Sequence, residues 1–130
     1  MLKFDHVAFQ VREMDAALRW YTEKLGFRLS TRSVNPAEGE DYAILTLGEV
    51  RLELIQDLRR PMPVRGAPQP PYCPHLAIET DDLAGVVEMM KERSITILRG
   101  PLEIAGEETW LYFTDSDNNV LEFIQWYQKK

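Results

Sequence analysis

Apolar and polar positions alternate with a period of two at the start of the chain. Val7, Phe9 and Val11 fall on one face of a strand predicted over residues 3–11, and His6, Ala8 and Gln10 on the other. The Val/Phe face is expected to meet a helix, which residues 15–25 supply. Asp15 is its expected N-cap, Leu18, Tyr21 and Leu25 share an apolar face, and Gly26 stands where a left-handed residue ends helices. Residues 27–34 read as a strand, 35–39 as a turn, and 42–47 with 50–56 as a hairpin around Gly48-Glu49. The order is then β-α-β-β-β.

The second half repeats it. His75, Ala77 and Glu79 alternate with Leu76 and Ile78. Asp81 or Asp82 caps a helix running to about residue 93, with Leu83, Val86, Val87 and Met90 at helical spacing. A strand is expected over residues 95–98, a break at Gly100-Pro101, and further strands over 109–114 and 120–127. The turn between the last two, residues 115–119, is built from Asp and Asn, which tolerate left-handed backbone.

The two halves match residue by residue at one offset. Arg51-Leu52-Glu53-Leu54-Ile55-Gln56 returns as Val120-Leu121-Glu122-Phe123-Ile124-Gln125, and 122 − 53 = 69. The chain has two histidines, His6 and His75, and 75 − 6 = 69 again. Equal offsets with like flanks mark an internal repeat whose like positions carry like chemistry. Taken singly, a His or a Glu on an alternating strand faces solvent. Here each glutamate sits within an apolar run, which is costly unless something pairs with it. If Leu and Phe alternates pack on the helices, all four side chains project to the opposite side. Two His and two Glu meeting there suit a borderline divalent cation such as zinc, nickel, iron, cobalt or manganese. The expected fold is α+β: two tandem βαβββ modules forming a concave, mostly antiparallel sheet around a metal cleft.

Composition narrows the classes. A length of 130 residues makes one domain with a sizeable core, read as module 1 over about 1–57, a linker over 58–73 and module 2 over about 74–127. Pro61, Pro63, Pro68, Pro70, Pro71 and Pro74 crowd around that linker together with Arg59, Arg60 and Arg65. It reads as a semi-rigid tether, or as a substrate wall whose arginines meet an anionic group. Net charge of −6 leaves no basic excess for nucleic acid. No apolar run is long enough to span a bilayer and no signal peptide is evident, so no membrane role and a cytoplasmic location are expected. The single cysteine, Cys73, rules out an intramolecular disulfide. Phosphate-loop, G-x-S-x-G and C-x-x-C patterns are absent.

Four stretches carry a family likeness: His6-Val7-Ala8-Phe9-Gln10-Val11, Trp20-Tyr21-Thr22-Glu23-Lys24-Leu25-Gly26-Phe27, His75-Leu76-Ala77-Ile78, and Asp115-Ser116-Asp117-Asn118-Asn119-Val120-Leu121-Glu122-Phe123. The chain resembles the vicinal oxygen chelate superfamily, which includes glyoxalase I, methylmalonyl-CoA epimerase, extradiol dioxygenases, and fosfomycin- and bleomycin-resistance proteins. Ser116 and Asn118 replace the Pro and Gly of that family's Asp-Pro-Asp-Gly-Asn turn. Two His and two Glu are the glyoxalase I metal set, so the resemblance implies one divalent ion on His6, Glu53, His75 and Glu122. The implied activity is a lyase or isomerase that moves a proton alpha to a carbonyl through an enediolate, on a small substrate with vicinal oxygens. Glu122 or Glu53 acts as base, with Glu122 favoured by the resemblance. Gln10 stands where bacterial glyoxalase I has a glutathione-binding arginine. Substrate contacts are expected from Gln10, Arg51, Trp110, Tyr112 and Trp126, and a homodimer from the resemblance and from open sheet edges. Two alternatives are an iron(II) ring-cleaving dioxygenase on His6, His75 and Glu122, and a non-enzymatic drug- or metabolite-binding resistance protein.

Overall fold

The computed structural model describes residues 1–130, which divide into two compact units, Met1–Arg65 and Gly66–Lys130. The first unit runs β1 (Val7–Gln10), α1 (Met14–Leu25), β2 (Arg28–Asn35), β3 (Glu40–Leu47) and β4 (Val50–Asp57). Its sheet order is β1-β4-β3-β2, with β1 parallel to β4 and the other neighbours antiparallel. The second unit runs β5 (His75–Glu79), α2 (Leu83–Glu92), β6 (Ile97–Ile104), β7 (Glu108–Thr114) and β8 (Val120–Trp126). Its order, β5-β8-β7-β6, repeats the first, again with one parallel pair. Two βαβββ modules are therefore present. Neither helix is long and apolar enough to cross a membrane.

Alternation does what the pattern requires. Leu52 and Leu54 are fully buried while Glu53 between them is half-buried, and Leu121 and Phe123 are buried beside Glu122. Helix α1 contributes Met14, Ala17, Tyr21 and Leu25 to the core, so Leu18 lies only at the margin of the face expected for it. Glu13, not Asp15, is its N-cap, and its carboxylate accepts the Ala16 N–H. Asp15 is turned to Arg32 instead. Gly26 closes the helix at φ +79° as expected.

Both helix starts carry a second acceptor, repeated at the common offset. The Met14 N–H donates to Gln56 Oε1 at 2.8 Å, and the Leu83 N–H to Gln125 Oε1 at 2.9 Å. Each glutamine ends a copy of the repeat and satisfies a first-turn donor that no intrahelical carbonyl reaches.

Several strand boundaries depart from expectation. The first strand starts only at Val7, because residues 1–6 are exposed outside the ladder. In the second unit β6 does not break at Gly100-Pro101 but runs through it, with register shifts between Ile97 and Arg99 and between Arg99 and Leu102. This edge strand absorbs the dipeptide as a bulge. Gly100 sits at φ +111°, where a Cβ would lie 3.0 Å from the Trp110 carbonyl oxygen, so only glycine fits. The other shifts are small: β3 starts at Glu40, two residues early, and β8 ends at Trp126, one residue early.

Arg32 fastens the first unit. Its guanidinium donates to both carboxylate oxygens of buried Asp41, at 3.2 and 2.9 Å, and to Asp15 of α1 at 2.6 Å. These carboxylates, Asp41 foremost, raise its pKa further, so the charge is permanent. Arg32→Leu strands the Asp41 carboxylate and is expected to cost about 2 kcal/mol, read as a lower urea midpoint with an unchanged slope. An unaltered midpoint would show that the pair contributes nothing net.

Candidate metal and substrate site

In the first unit, β1 and β4 place Ala8 opposite Glu53. His6 lies two residues before Ala8 and so shares the Glu53 face. Its Nε2 is 3.5 Å from Glu53 Oε1. On the other side of the ring, Nδ1 is 2.7 Å from the Asp5 carboxylate, which Arg51 also engages at 2.7 Å. The His6 hydrogen bond, with Arg51 adding its charge, holds the Asp5 carboxyl below the usual carboxylate range.

The second unit repeats this with different support. Ala77 is opposite Glu122, and His75, two residues earlier, brings Nε2 to 2.9 Å from Glu122 Oε1. Nδ1 of His75 is 2.9 Å from the Tyr72 carbonyl oxygen. This pair is the more enclosed, with Glu122 only 7% exposed. Burial pushes the Glu122 carboxyl up, against the opposing pull of His75. Tyr112, the cross-strand partner of Glu122, sets its ring edge-on to His75 with centroids 5.4 Å apart. Burial, with the nearby Glu122 charge, raises the Tyr112 phenol as well.

The partners of Nδ1 decide the tautomer. A carboxylate and a peptide carbonyl only accept, so both rings donate from Nδ1 and turn Nε2 to a glutamate oxygen. Two acceptors this close need a proton or a cation between them. Holding Nδ1 on an oxygen is also how proteins orient metal-ligating histidines. One imidazole nitrogen and one carboxylate oxygen per unit are donors of a kind that suits a borderline divalent cation. Neither unit gathers three or more His, Cys, Asp or Glu side chains into a group that could hold a metal by itself.

The other expected substrate residues separate. Gln10 lines a cleft of about 350 Å³ with Ala8, Ile55, Asp57, Arg59 and Arg60, all in the first unit. Trp110 and Tyr112 line a pocket of about 300 Å³ in the second. Trp126 is half-buried opposite Glu108 and lines neither. Arg51 is committed to Asp5.

The family model for the glyoxalase/bleomycin resistance protein/dioxygenase superfamily matches residues 3–123. The chain belongs to that superfamily. It is 27% identical to a lactoylglutathione lyase of Arabidopsis thaliana over 95% of its own length and 44% of that protein's. With human mitochondrial methylmalonyl-CoA epimerase it shares 28% identity over 80% of this chain and 61% of the epimerase. The chain thus spans less than two thirds of these curated relatives. Among solved structures, a mutant of the fosfomycin resistance protein FosX of Listeria monocytogenes, complexed with Mn(II) and 1S,2S-dihydroxypropylphosphonic acid, superposes with a TM-score of 0.73. It is 12% identical and the match covers 99% of this chain and 92% of that one, which is a likeness of fold.

Two supports of this superfamily member's histidines were not legible as such. Asp5 is adjacent to His6, and that adjacency is the one signal it offers. Tyr72 lies in the proline-rich stretch and acts through its backbone, which no side-chain pattern announces.

Proposed function

We propose that the protein is a divalent-metal-dependent lyase or isomerase of the glyoxalase I type, acting on a small molecule with vicinal oxygens. The observation that carries this is the repeated pair: each imidazole is fixed through Nδ1 and turns Nε2 to a glutamate oxygen. His6 with Glu53, and His75 with Glu122, would serve as ligands to a divalent ion, and nickel, zinc, cobalt, manganese and iron suit those donors. Bound there, the metal would act as a Lewis acid toward the substrate's oxygens. Glu122 takes the proton from the carbon alpha to the carbonyl on a carboxylate oxygen and returns it to the neighbouring carbon. Its buried position keeps bulk water from competing for that proton. Tyr72 and Asp5 act as positioning residues, because each fixes a histidine ring.

Metal and stability are linked in this reading. A ligand that binds only the folded state stabilises it by roughly 3 kcal/mol at a hundredfold excess over its Kd. Chelation is expected to lower the melting temperature, and nickel, cobalt, zinc or manganese to restore it. Glu53→Ala and Glu122→Ala each blunt the response. Glu79→Ala does not, since Glu79 is engaged with Lys129 at 2.6 Å. A melting curve indifferent to chelator, with no metal in the purified protein, would overturn the proposal. Turnover without dioxygen separates it from a ring-cleaving dioxygenase.

The proposed assembly is a homodimer. Strand β2 is a sheet edge whose residues 28–34 are all exposed, Leu29 and Val34 among them, and a second copy would cover it. A monomeric mass by light scattering at high micromolar concentration would contradict this.

A further inference from the structure

We propose that the pocket beside His75 takes a planar aromatic ring bearing a carboxylate, the ring lying among Tyr72, Trp110 and Tyr112 and the carboxylate on Arg99. This names the substrate class of the proposed enzyme, an aryl acid carrying vicinal oxygens, and its link to catalysis rests on that proposal.

The cavity measures about 300 Å³, the lower end of the range for small-molecule sites and a size that suits a single ring. Its walls are three aromatic rings with Pro70, Pro71 and Leu102. Tyr72 is buried at φ +61°, and its ring is tilted 39° to that of Tyr112 with centroids 4.9 Å apart. Such rings favour a guest that stacks offset or edge-on. No amide, carboxylate or aliphatic hydroxyl side chain lines the cavity, so a polyol would leave its hydroxyls poorly paired. Sugars and their relatives are therefore disfavoured.

Arg99 is the one charged lining residue. It stands opposite Tyr112 across the strand pair, and its guanidinium makes neither an ion pair nor a hydrogen bond, unlike those of Arg32 and Arg51. A guanidinium left open in this way matches a carboxylate with two parallel donors. The pocket also adjoins the site. Tyr112 touches the His75 ring on one side and the cavity on the other, and the Tyr72 carbonyl fixes that ring. A ring bound here is placed next to whatever His75 and Glu122 act on.

The test uses the full-length protein after chelation, so that no metal contributes. Benzoate, benzyl alcohol and acetate are titrated, with binding followed by calorimetry and by ligand-detected NMR. Benzoate is expected to bind about tenfold or more tightly than either of the others, the scale of a charge-assisted hydrogen bond. Arg99→Gln removes that preference over benzyl alcohol while benzyl alcohol itself binds as before. Trp110→Leu weakens both aromatic probes and shows that the ring sits in this pocket. Benzoate affinity unchanged in both variants, or no binding of benzoate, would overturn the inference. Benzoate binding without any metal response would keep the pocket and remove the enzyme proposal. A metal response without benzoate binding would do the reverse.

Discussion

Glu122→Gln is expected to lower turnover by about 10²–10⁴-fold, the usual contribution of a positioned general base. The amide has the size of the carboxyl and fills the same buried place on β8, but it cannot accept a proton at this step. It also relieves the acceptor-to-acceptor contact with His75, now 2.9 Å, because an amide N–H donates to Nε2. The variant should therefore fold normally and lose less stability than the parent on chelation. Metal should still bind through the remaining ligands, more weakly. Steady-state rates beside metal content per chain check both halves. Parent-level turnover by Glu122→Gln would remove Glu122 as the base and pass that role to Glu53.

Asp115→Ala is expected to produce the largest loss of stability, about 3 kcal/mol or more. The Asp115 carboxylate is buried and accepts from the Asp117 N–H, the Asn119 N–H and the Asn119 side-chain amide, each at 2.9 Å. At about 1 kcal/mol for each bond, with Asn119 itself buried, the sum reaches that figure. For a chain of this size it lowers the melting temperature by roughly 10 °C. The turn also leads directly into β8, so its collapse releases Glu122 from its place beside His75. Asn118, at φ +61°, holds the left-handed corner that Asn tolerates better than most residues. Asp115→Asn keeps part of the network and should cost less than Asp115→Ala. Equal and small losses in the two variants would show that the loop is held by other contacts.

Much of the fold was legible because alternation and helical spacing are local. Leu52 and Leu54 inward with Glu53 outward follow from backbone geometry alone, as does Gly26 at a helix end; of Asp81 and Asp82, both open at the second helix start, Asp82 is the cap. The common offset of 69 between the His and Glu positions exposed the repeat without any tertiary contact. It also contained the Gln56 and Gln125 pair, although nothing in the pattern said that these side chains cap helices rather than face solvent.

Tertiary structure decided the partners. Arg51 reads from its strand as a residue for substrate, yet it binds Asp5, which lies outside any element. Asp15 reads as an N-cap, yet Arg32 draws it away and Glu13 takes the cap. Gly100-Pro101 reads as a break, yet a neighbouring strand accepts it as a bulge. Tyr72 acts on His75 through a carbonyl that every residue has. In each case the local signal was satisfied equally well by two arrangements. Strand register and loop path then selected one, because they set which charges and donors come within hydrogen-bond reach. Local patterning was enough for the two βαβββ modules and for the strand faces of His6, Glu53, His75 and Glu122. Only folding decided what holds each of those side chains in place.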